Sequence, residues 1–475
     1  MALAARTARR LASRMPVSWL VLASRVGRAL GPRRLAWDAL LSFAQASLAD
    51  AQQARGDLEG AIKRYESALR IAEECNDLWP LYRKQQWQFQ LEYCYAMLGR
   101  ARVEDPLFAC DVQPPRKPTV ASHGSQLTFA ARMTYIGMSI HGFADSESES
   151  VSLYLDGTLL RTVNVSREEG VVKFNLTIKR ETLAMFPTRS RLEAKTSRDR
   201  PLYGPGGVTH LDLTVPHGDG RLLDMIASGA SLDKKGTIKP TPAQVKERQD
   251  RDLEIYSSVR DFFTEHIGRP IFLMYGTLLG YYRDGDLIPH DDDFDVGYVS
   301  DETDPVNVKE ETKDIIVELV RAGFTVSFNR RGRLFRVQLD RDATDGCHVD
   351  VHPTWFQDGN VWVHNVVSFP ADRDDFLPAV DGKLRDTAVS VPGRPVVFLR
   401  GNYGPGWKVP DPGFRYYNSA VDPEVRRNLG KALINVGEYK ALAERVRRET
   451  HDEPGAGRLV SIGSRDLYPL DRFIE

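Results

Sequence analysis

The sequence predicts a multidomain α+β protein, because three stretches of the chain carry three different hydrophobic patterns. Between residues 37 and 112, apolar side chains recur at spacings of three and four, which is typical of helices. Between 119 and 216 they alternate with polar side chains, which is typical of half-buried strands. From 241 to 475 strand-like and helical segments are mixed. A chain of 475 residues is long enough for roughly two or three domains.

The charges are balanced over the whole chain, with 64 lysines and arginines against 65 aspartates and glutamates. No net positive field attracts nucleic acid, so we expect no nucleic-acid partner. The 4 cysteines have neither the spacing of a metal site nor the density of a disulfide scaffold. We therefore expect reduced thiols and a cytoplasmic protein.

The segment 1–36 is basic and contains no acidic residue. Its apolar stretch, 15–24, is far shorter than the roughly 20 residues that span a bilayer. Three interpretations stay open. The segment is a basic amphipathic element in peripheral contact with the inner face of an anionic membrane, a packing helix without membrane contact, or a cleaved targeting peptide.

The helical region 37–112 resembles a tetratricopeptide hairpin, and 87–100 looks like a degenerate partner of that hairpin. The small and aromatic positions of the repeat are matched by Gly56, Ala61, Tyr65 and Ala68. Stable solenoids need about three repeats. We therefore expect a short TPR-like helical appendage, which either packs on the next domain or binds a protein partner.

The strand-like region 119–216 follows a proline-rich break at 113–118. Within it, Asp156–Gly157 lies between two alternating runs and predicts a hairpin turn. We expect a β-sandwich of roughly 100 residues, which either spaces domains or binds a glycan. Residues 217–240 are rich in glycine, lysine and proline and predict a linker with one short helix.

The third predicted domain, 241–475, begins with a helix and ends with C-terminal helices. Thr241 suits the N-cap and Pro242 the first turn of the first helix. A buried strand is expected at 271–274. The run Val421–Asp422–Pro423 marks the start of the closing helices.

Four aspartates lie within five residues of this domain, between apolar segments. They are Asp291, Asp292, Asp293 and Asp295. Carboxylates in apolar surroundings are unstable unless a cation neutralises them. Mg²⁺ prefers oxygen ligands and often keeps waters and substrate phosphates in its shell. We therefore predict a Mg²⁺ (or Mn²⁺) site that handles a phosphate. The alternative is an acidic, solvated turn.

The side chains of Asp293 and Asp295 share one face of a strand, because Phe294 between them points the other way. We predict that both bind the metal together with Asp350, from a neighbouring strand. Asp350 alternates with His348 and His352, which leaves open a His-Asp-His transition-metal strand or a purely structural one. The predicted catalytic residues are Asp292, Asp293, Asp295 and Asp350, and Asp291 is a supporting residue of the entering loop.

Phosphate contacts are predicted on either side of the aspartates. Gly276 and Thr277 would let the backbone approach a phosphate, with the threonine hydroxyl as a further donor. An arginine offers a phosphate a bidentate fork, although each arginine here is also an ordinary surface candidate. The arginines considered are Arg283, Arg333 and Arg336.

These residues resemble the signature of the LicD/fukutin family, over about 250–415. The run 276–296, GTLLGYYRDGDLIPHDDDFDV, resembles the family's first motif and carries the Gly-Ser/Thr and Asp-x-Asp marks of the nucleotidyltransferase-fold superfamily. The run 348–353, HVDVHP, resembles the family's Asp-bearing strand. The run 402–413, NYGPGWKVPDPG, resembles its late Tyr-Gly-x-x-Trp-x-x-Pro element.

The chain departs from the family's pattern at positions that concern the substrate rather than the metal. His290 stands where the family usually has Trp, and Phe294 where it usually has Ile. Tyr281–Tyr282 replaces smaller residues, and His352 replaces the usual Phe or Trp.

The resemblance implies a nucleotidyltransferase-fold mixed α/β catalytic domain that acts as a phosphotransferase. Such an enzyme moves phosphocholine or a polyol phosphate, such as glycerol or ribitol phosphate, from a CDP-activated donor. The acceptor is a hydroxyl of a cell-surface glycan or a teichoic-acid-like polymer of the cell wall. The expected substrate and phosphate contacts are Gly276, Thr277, Arg283, His290, Arg336, Tyr403, Trp407 and Lys408. Two alternatives remain: a nucleotidyltransferase that transfers NMP from an NTP, and a non-enzymatic scaffold.

Overall fold

The computed structural model describes residues 34–75, 79, 81–113, 127–168, 170–289, 291, 293–328, 335–339, 347–363, 367–411 and 421–461. Nearly all of the basic segment 1–36 lies outside these residues, as do His290, Asp292 and Arg333. The described residues of Met1–Ala44, Arg70–Lys84 and Thr241–Glu475 form one compact unit, here the aspartate unit. Those of Gln45–Leu69 and Gln85–Pro240 form a second, here the β-rich unit.

The mixture of helices and sheets confirms the predicted α+β class. Three helices open the described chain: α1 (Arg34–Gln53), α2 (Leu58–Glu73) and α3 (Leu81–Met97). Ala61, Tyr65 and Ala68 of α2 are fully buried, and the Tyr65 hydroxyl donates a hydrogen bond to Asp50 Oδ1 at 2.6 Å. The likeness to a tetratricopeptide repeat stays a prediction. Among the described residues, no helix combines the length and apolar composition needed to cross a bilayer.

The described part of the β-rich unit contains two antiparallel sheets. One has the strand order β1-β9-β8-β4-β5 and the other β2-β3-β7-β6. Their bounds are β1 (Asp111–Gln113), β2 (Thr128–Thr134), β3 (Gly137–Ala144), β4 (Ser150–Leu155), β5 (Thr158–Asn164), β6 (Ser166–Glu168), β7 (Val171–Lys179), β8 (Arg189–Thr196) and β9 (His210–Thr214), with the short helices α4 (Arg180–Leu183) and α5 (Arg221–Ala227).

Two local predictions in this unit are confirmed. Asp156–Gly157 connects β4 to β5 as a hairpin, and both residues have positive φ, 48° and 81°. Helix α5 is the short helix expected in the segment 217–240. The arrangement of the two sheets as a sandwich stays a prediction, as do the predicted domain boundaries.

The aspartate unit is built on a mixed sheet. Its elements are α6 (Pro242–Phe262), β10 (Phe272–Leu273), α7 (Tyr275–Asp284), β11 (Phe294–Val299), α8 (Pro305–Arg321), β12 (Thr325–Phe328), β13 (Phe335–Gln338), β14 (Val349–Gln357), β15 (Asn360–Val363), β16 (Val367–Pro370), β17 (Val380–Leu384), β18 (Thr387–Val391), α9 (Pro395–Tyr403), α10 (Pro423–Lys431), α11 (Val436–Glu449) and β19 (Arg458–Val460). In its described part, the main path of the sheet is β10-β11-β14-β13-β12-β19, and β17–β18 is a separate hairpin. Strands β11 and β14 run parallel.

The predicted helix starts in this unit are confirmed. The Thr241 hydroxyl accepts from the N–H of Gln244, and the Gln244 side chain accepts from the N–H of Thr241. This reciprocal capping box begins α6, with Pro242 in its first turn. Asp422 caps α10 in the same way, by accepting from the N–H of Glu424.

Helices cover both faces of the sheet at β11 and β14. On one face, Phe294 packs on Tyr256 of α6 with ring centroids 5.5 Å apart. On the same face, the Tyr298 hydroxyl forms a 3.0 Å hydrogen bond with Thr312 of α8. The opposite face carries the aspartates, because Asp295 alternates with Phe294 along β11.

The aspartate face is closed by two further helices. Tyr275, the first residue of α7, packs on the ring of His352 from β14 at 4.7 Å. Phe398 of α9 meets Tyr275 edge to face at 5.2 Å. The acidic residues therefore lie between the sheet and the start of α7.

Candidate metal and phosphate site

Strand register brings the acidic residues together. Asp295 of β11 pairs with Asp350 of the parallel strand β14. Asp350 in turn pairs with Arg336 of the antiparallel strand β13. Paired residues share a face, and neighbouring strands lie about 4.8 Å apart. One position earlier, Asp293 and His348 precede the first residue pair of β11 and β14. One face thus carries two rows, Asp293–His348 and Asp295–Asp350–Arg336, which we call the grid.

Three side chains of the grid converge as a metal site requires. One ligand atom each from Asp293, His348 and Asp350 lie within 4.8 Å of one another. Asp350 is buried, and the other two are half-buried. Asp293 and Asp350 are two of the three predicted ligands. His348 entered the prediction only through the alternative His-Asp-His strand. Two carboxylates and an imidazole at this separation suit a single divalent cation.

Asp295, the third predicted ligand, has a fully buried hydrogen-bond partner. Nε2 of His352 lies 2.8 Å from Asp295 Oδ1, and His352 is 0% exposed. Burial raises the pKa of Asp295 to about 6, and the neighbouring carboxylates Asp350 and Asp293 add to this, while His352 opposes it. A carboxylate whose charge is this unfavourable is stabilised by a cation. The residues present therefore fit the predicted metal.

Arg336 supplies a permanent positive charge to the grid. Its Nε donates to Asp350 Oδ1 at 3.0 Å. Burial disfavours the guanidinium charge, but Asp350, Asp293 and Asp295 outweigh that effect and raise the pKa of Arg336. Of the predicted phosphate contacts, Arg336 is thus the one that the structure places directly among the carboxylates.

The predicted phosphate turn lies within a helix. Gly276 and Thr277 belong to the first turn of α7, since Tyr275 adopts φ 44° and turns the chain from β10 into the helix without a loop. A Cβ on Gly276 would overlap the carboxylate of Asp291, which therefore packs against the helix start. Negative charge is favourable at that end of a helix.

Thr277 has a structural contact in addition to any role with a phosphate. Its side chain is 1% exposed. Its hydroxyl oxygen accepts a 2.9 Å hydrogen bond from the N–H of Asp295. This bond fixes the start of β11 against α7 and so sets the position of the Asp295 carboxylate.

A second group of predicted contacts lies at the other end of α7. Arg283 forms a bidentate ion pair with Asp284, at 2.8 Å for each nitrogen, and the phenol of Tyr403 lies close enough to act on its pKa. Arg283 is two turns beyond Gly276, which places it about 10 Å further along the helix axis.

The late Trp-containing element packs at that same end. The ring of Trp407 lies 5.8 Å from the ring of Tyr282. Lys408 Nζ lies 5.6 Å from the centroid of the Trp407 ring. Trp407 is buried and Lys408 is exposed. The structure therefore divides the predicted contacts into the grid and an aromatic–basic cluster at the far end of α7.

Arg385 was missed by the sequence reasoning, although it holds the segment that leads to the aspartates. Its Nε donates to Asp286 Oδ1 at 2.8 Å, Nη1 to Asp250 Oδ1 at 2.7 Å and Nη2 to Gln249 Oε1 at 2.6 Å. Gln249 also donates to the carbonyl of Ile288 at 3.2 Å. Arg385 has φ 53°, an uncommon value for a non-glycine residue. No sequence signal joins this hairpin residue to the aspartates.

Residues 268–394 match the family described as LicD/FKTN/FKRP, nucleotidyltransferase domain. This match confirms the resemblance predicted from the aspartate motif, and it includes the whole grid. Tyr403, Trp407 and Lys408 lie beyond the matched residues.

Curated relatives give weaker matches over part of the chain. The mouse (Mus musculus) ribitol-5-phosphate transferase FKTN is 22% identical over 227 residues, which cover 45% of this chain and 47% of that protein. The human (Homo sapiens) ribitol-5-phosphate transferase FKTN is 24% identical over 148 residues, 30% of each chain. The chain thus spans less than half the length of these relatives.

Proposed function

We propose that this protein is a metal-dependent phosphotransferase. It takes a polyol phosphate or phosphocholine from a CDP-activated donor and attaches it to a hydroxyl of a glycan or teichoic-acid-like polymer. Ribitol phosphate is the first group to test, because the similar mouse and human proteins are named ribitol-5-phosphate transferases. A peripheral membrane contact of the basic segment 1–36 belongs to the same proposal.

The observation that carries the proposal is the convergence of Asp293, Asp350 and Arg336 on neighbouring strands, inside the region that matches the family. Moving a phosphate group requires charge neutralisation and alignment more than covalent chemistry. A grid that combines carboxylates for a cation with a fixed guanidinium supplies both.

The residues that would hold the cation are Asp293 and Asp350, with Asp295 beside them. When bound, a divalent cation neutralises the donor diphosphate and stabilises the departing CMP. Arg336 keeps the Asp350 carboxylate oriented through its Nε hydrogen bond. His352 does the same for Asp295 from its buried position. The grid is thereby held in place before the donor arrives.

The acceptor hydroxyl loses a proton during transfer. The carboxylates proposed to accept it are Asp350, Asp291 and Asp292, the last of which lies outside the described residues. Asp291 packs against the start of α7 and follows directly from the loop that Arg385 holds. A proton acceptor here aligns the nucleophile and contributes less than the charge neutralisation.

The test is a panel of CDP-ribitol, CDP-glycerol and CDP-choline with Mg²⁺ or Mn²⁺, in which CMP release is measured. We expect release with at least one donor, stimulated by a glycan acceptor. Asp293→Asn and Asp350→Asn should each lower the rate by about a hundredfold or more. Asp374→Asn is the control, because Asp374 is exposed and lies outside the grid.

The same assay separates the alternatives. Silence with all three CDP-alcohols together with pyrophosphate release from an NTP would identify a nucleotidyltransferase. Silence with both classes of donor, with cellular function unchanged in the Asp293→Asn and Asp350→Asn variants, would identify a scaffold.

A further inference from the structure

We infer that His348 is a direct ligand of the cation, so that the site takes Mn²⁺ in preference to Mg²⁺. The inference rests on the proposed function for the purpose of the cation. It concerns an imidazole that was predicted only as part of an alternative strand pattern.

The positions of the three side chains follow from the two parallel strands. Asp293 and His348 are lateral neighbours immediately before β11 and β14, and Asp350 lies two residues after His348 on the same face. A divalent cation about 2.1 Å from its ligands keeps adjacent ligand atoms about 3 Å apart and opposite ones about 4.2 Å apart. His348 Nε2 lies 3.4 Å from Asp350 Oδ1, and all three ligand atoms lie within 4.8 Å. A cation can therefore be shared with small side-chain rotations alone.

The chemistry of the donor set decides between the metals. Mg²⁺ is a hard ion that prefers oxygen and gives up its waters reluctantly. Imidazole suits first-row transition metals, whereas carboxylates suit Mg²⁺ and Mn²⁺ alike. A site with two carboxylates and one imidazole therefore gains affinity for Mn²⁺ through its nitrogen, but gains little for Mg²⁺.

The direct test is pulsed electron paramagnetic resonance of Mn²⁺ added to the metal-free, full-length protein. A nitrogen bound to Mn²⁺ modulates the spin echo. We expect this ¹⁴N modulation in the wild-type protein and its loss in His348→Gln. Calorimetric titration should show Mn²⁺ binding weakened on the order of tenfold in His348→Gln, with Mg²⁺ binding changed by less than about threefold.

The control is His451→Gln, which removes an exposed imidazole of the same unit and should leave both titrations unchanged. Thermal unfolding of each variant checks that it is folded, and the wild-type resonance spectrum needs no variant at all. Absence of bound nitrogen in the wild-type spectrum overturns the inference. Equal weakening of Mn²⁺ and Mg²⁺ binding in His348→Gln also overturns it.

The outcomes for the metal and for the transferase are independent. Nitrogen-coordinated Mn²⁺ in a protein that releases no CMP from any CDP-alcohol refutes the proposed function and keeps this inference. Transferase activity with Mg²⁺ and Mn²⁺ alike, without a nitrogen ligand, refutes this inference and keeps the proposed function.

Discussion

Asp295 combines a place in the grid with a deficit in stability. Its pKa of about 6 in the folded protein lies above the ordinary carboxyl value of 3.8. The folded state therefore binds this proton more tightly than the unfolded chain does. Without metal, the free energy of unfolding should fall as the pH rises from about 4 to about 6 and stay lower above that range, by at most about 3 kcal/mol.

Asp295→Asn should remove that deficit, because the amide carries no charge and still offers His352 an acceptor. In EDTA, we expect the variant to unfold at a higher temperature than the wild type at pH 8 and at the same temperature near pH 4. Asp374→Asn should match the wild type at both pH values. A lower melting temperature of Asp295→Asn at pH 8 would contradict the assigned cause.

The sequence could predict single residues of the site but not their partners. Period two along a strand is enough to place Asp293 and Asp295 on one face. The hydrogen bond from His352 to Asp295 depends on the register of two strands whose partners are 57 positions apart. No local pattern encodes that register. The residues that orient the carboxylates therefore appear only in the folded chain.

Among the elements, α7 approaches the loop before the aspartates more closely than any side chain at Gly280 would allow. A Cβ there would lie 2.7 Å from the carbonyl oxygen of Asp286 and 2.9 Å from the nitrogen of Ile288. Both are backbone atoms, so the whole loop would have to shift. We expect Gly280→Ala to lower transferase activity at least about tenfold and to destabilise the fold by about 1–3 kcal/mol.

Gly406→Ala is the matched control, because a Cβ at Gly406 meets no atom within 4 Å. CMP release and urea unfolding should be compared for the two variants. Full activity in Gly280→Ala would show that the position of the loop does not govern the grid.

The β17–β18 hairpin supports the same loop from the opposite side through Arg385. Arg385→Gln removes the ion pairs to Asp286 and Asp250. We expect this change to raise the cation concentration needed for half-maximal activity severalfold, with a stability loss of about 1 kcal/mol or less. Lys383→Gln is the control, because the Lys383–Asp386 pair on this hairpin is solvent-exposed. An unchanged cation requirement in Arg385→Gln would contradict this supporting role.

Element boundaries were predictable where the hydrogen bonds that set them are local. The cap at Thr241, the cap at Asp422 and the turn at Asp156 each depend on residues within three positions. The start of α7 was not predictable in this way. It depends on the left-handed conformation of Tyr275, whose ring is held by His352 and Phe398 from distant strand and helix.

At the scale of the whole molecule, Glu73 joins three segments of the aspartate unit. It forms an ion pair with Lys84, at the start of α3, and a 2.8 Å ion pair with Lys440 of α11. Lys84 is 0% exposed. Burial lowers the pKa of Lys84 to about 8, although Glu73 opposes this effect.

Glu73→Gln should therefore leave a buried ammonium without its counterion. We expect a loss of about 3–5 kcal/mol in the free energy of unfolding at pH 7. The loss should be smaller at pH 10, because Lys84 is then largely neutral in the folded state. Urea unfolding at the two pH values measures it.

Glu59→Gln is the control on the same helix, since the Glu59–Arg100 pair is exposed and should contribute less than about 1 kcal/mol. A loss in Glu73→Gln that is equal at pH 7 and pH 10 would show that the Lys84 charge is not its cause.

The sequence predicted the helical region 37–112 and the domain 241–475 as separate segments. In the structure, Arg70–Lys84 lies in the same compact unit as Thr241–Glu475. Composition and periodicity describe each segment alone, so they carry no information on an ion pair between residues 367 positions apart. The sequence thus shows which segments exist but not which of them fold together.

The Glu73–Lys440 pair also sets a timetable for making the protein. At about 5–20 residues per second, roughly 20–70 s of translation separate its two partners. Every described strand of the β-rich unit is synthesised within that interval. One unit can therefore finish folding while the other still waits for its closing helix. The unit that carries the grid is completed only when translation of the chain is nearly over.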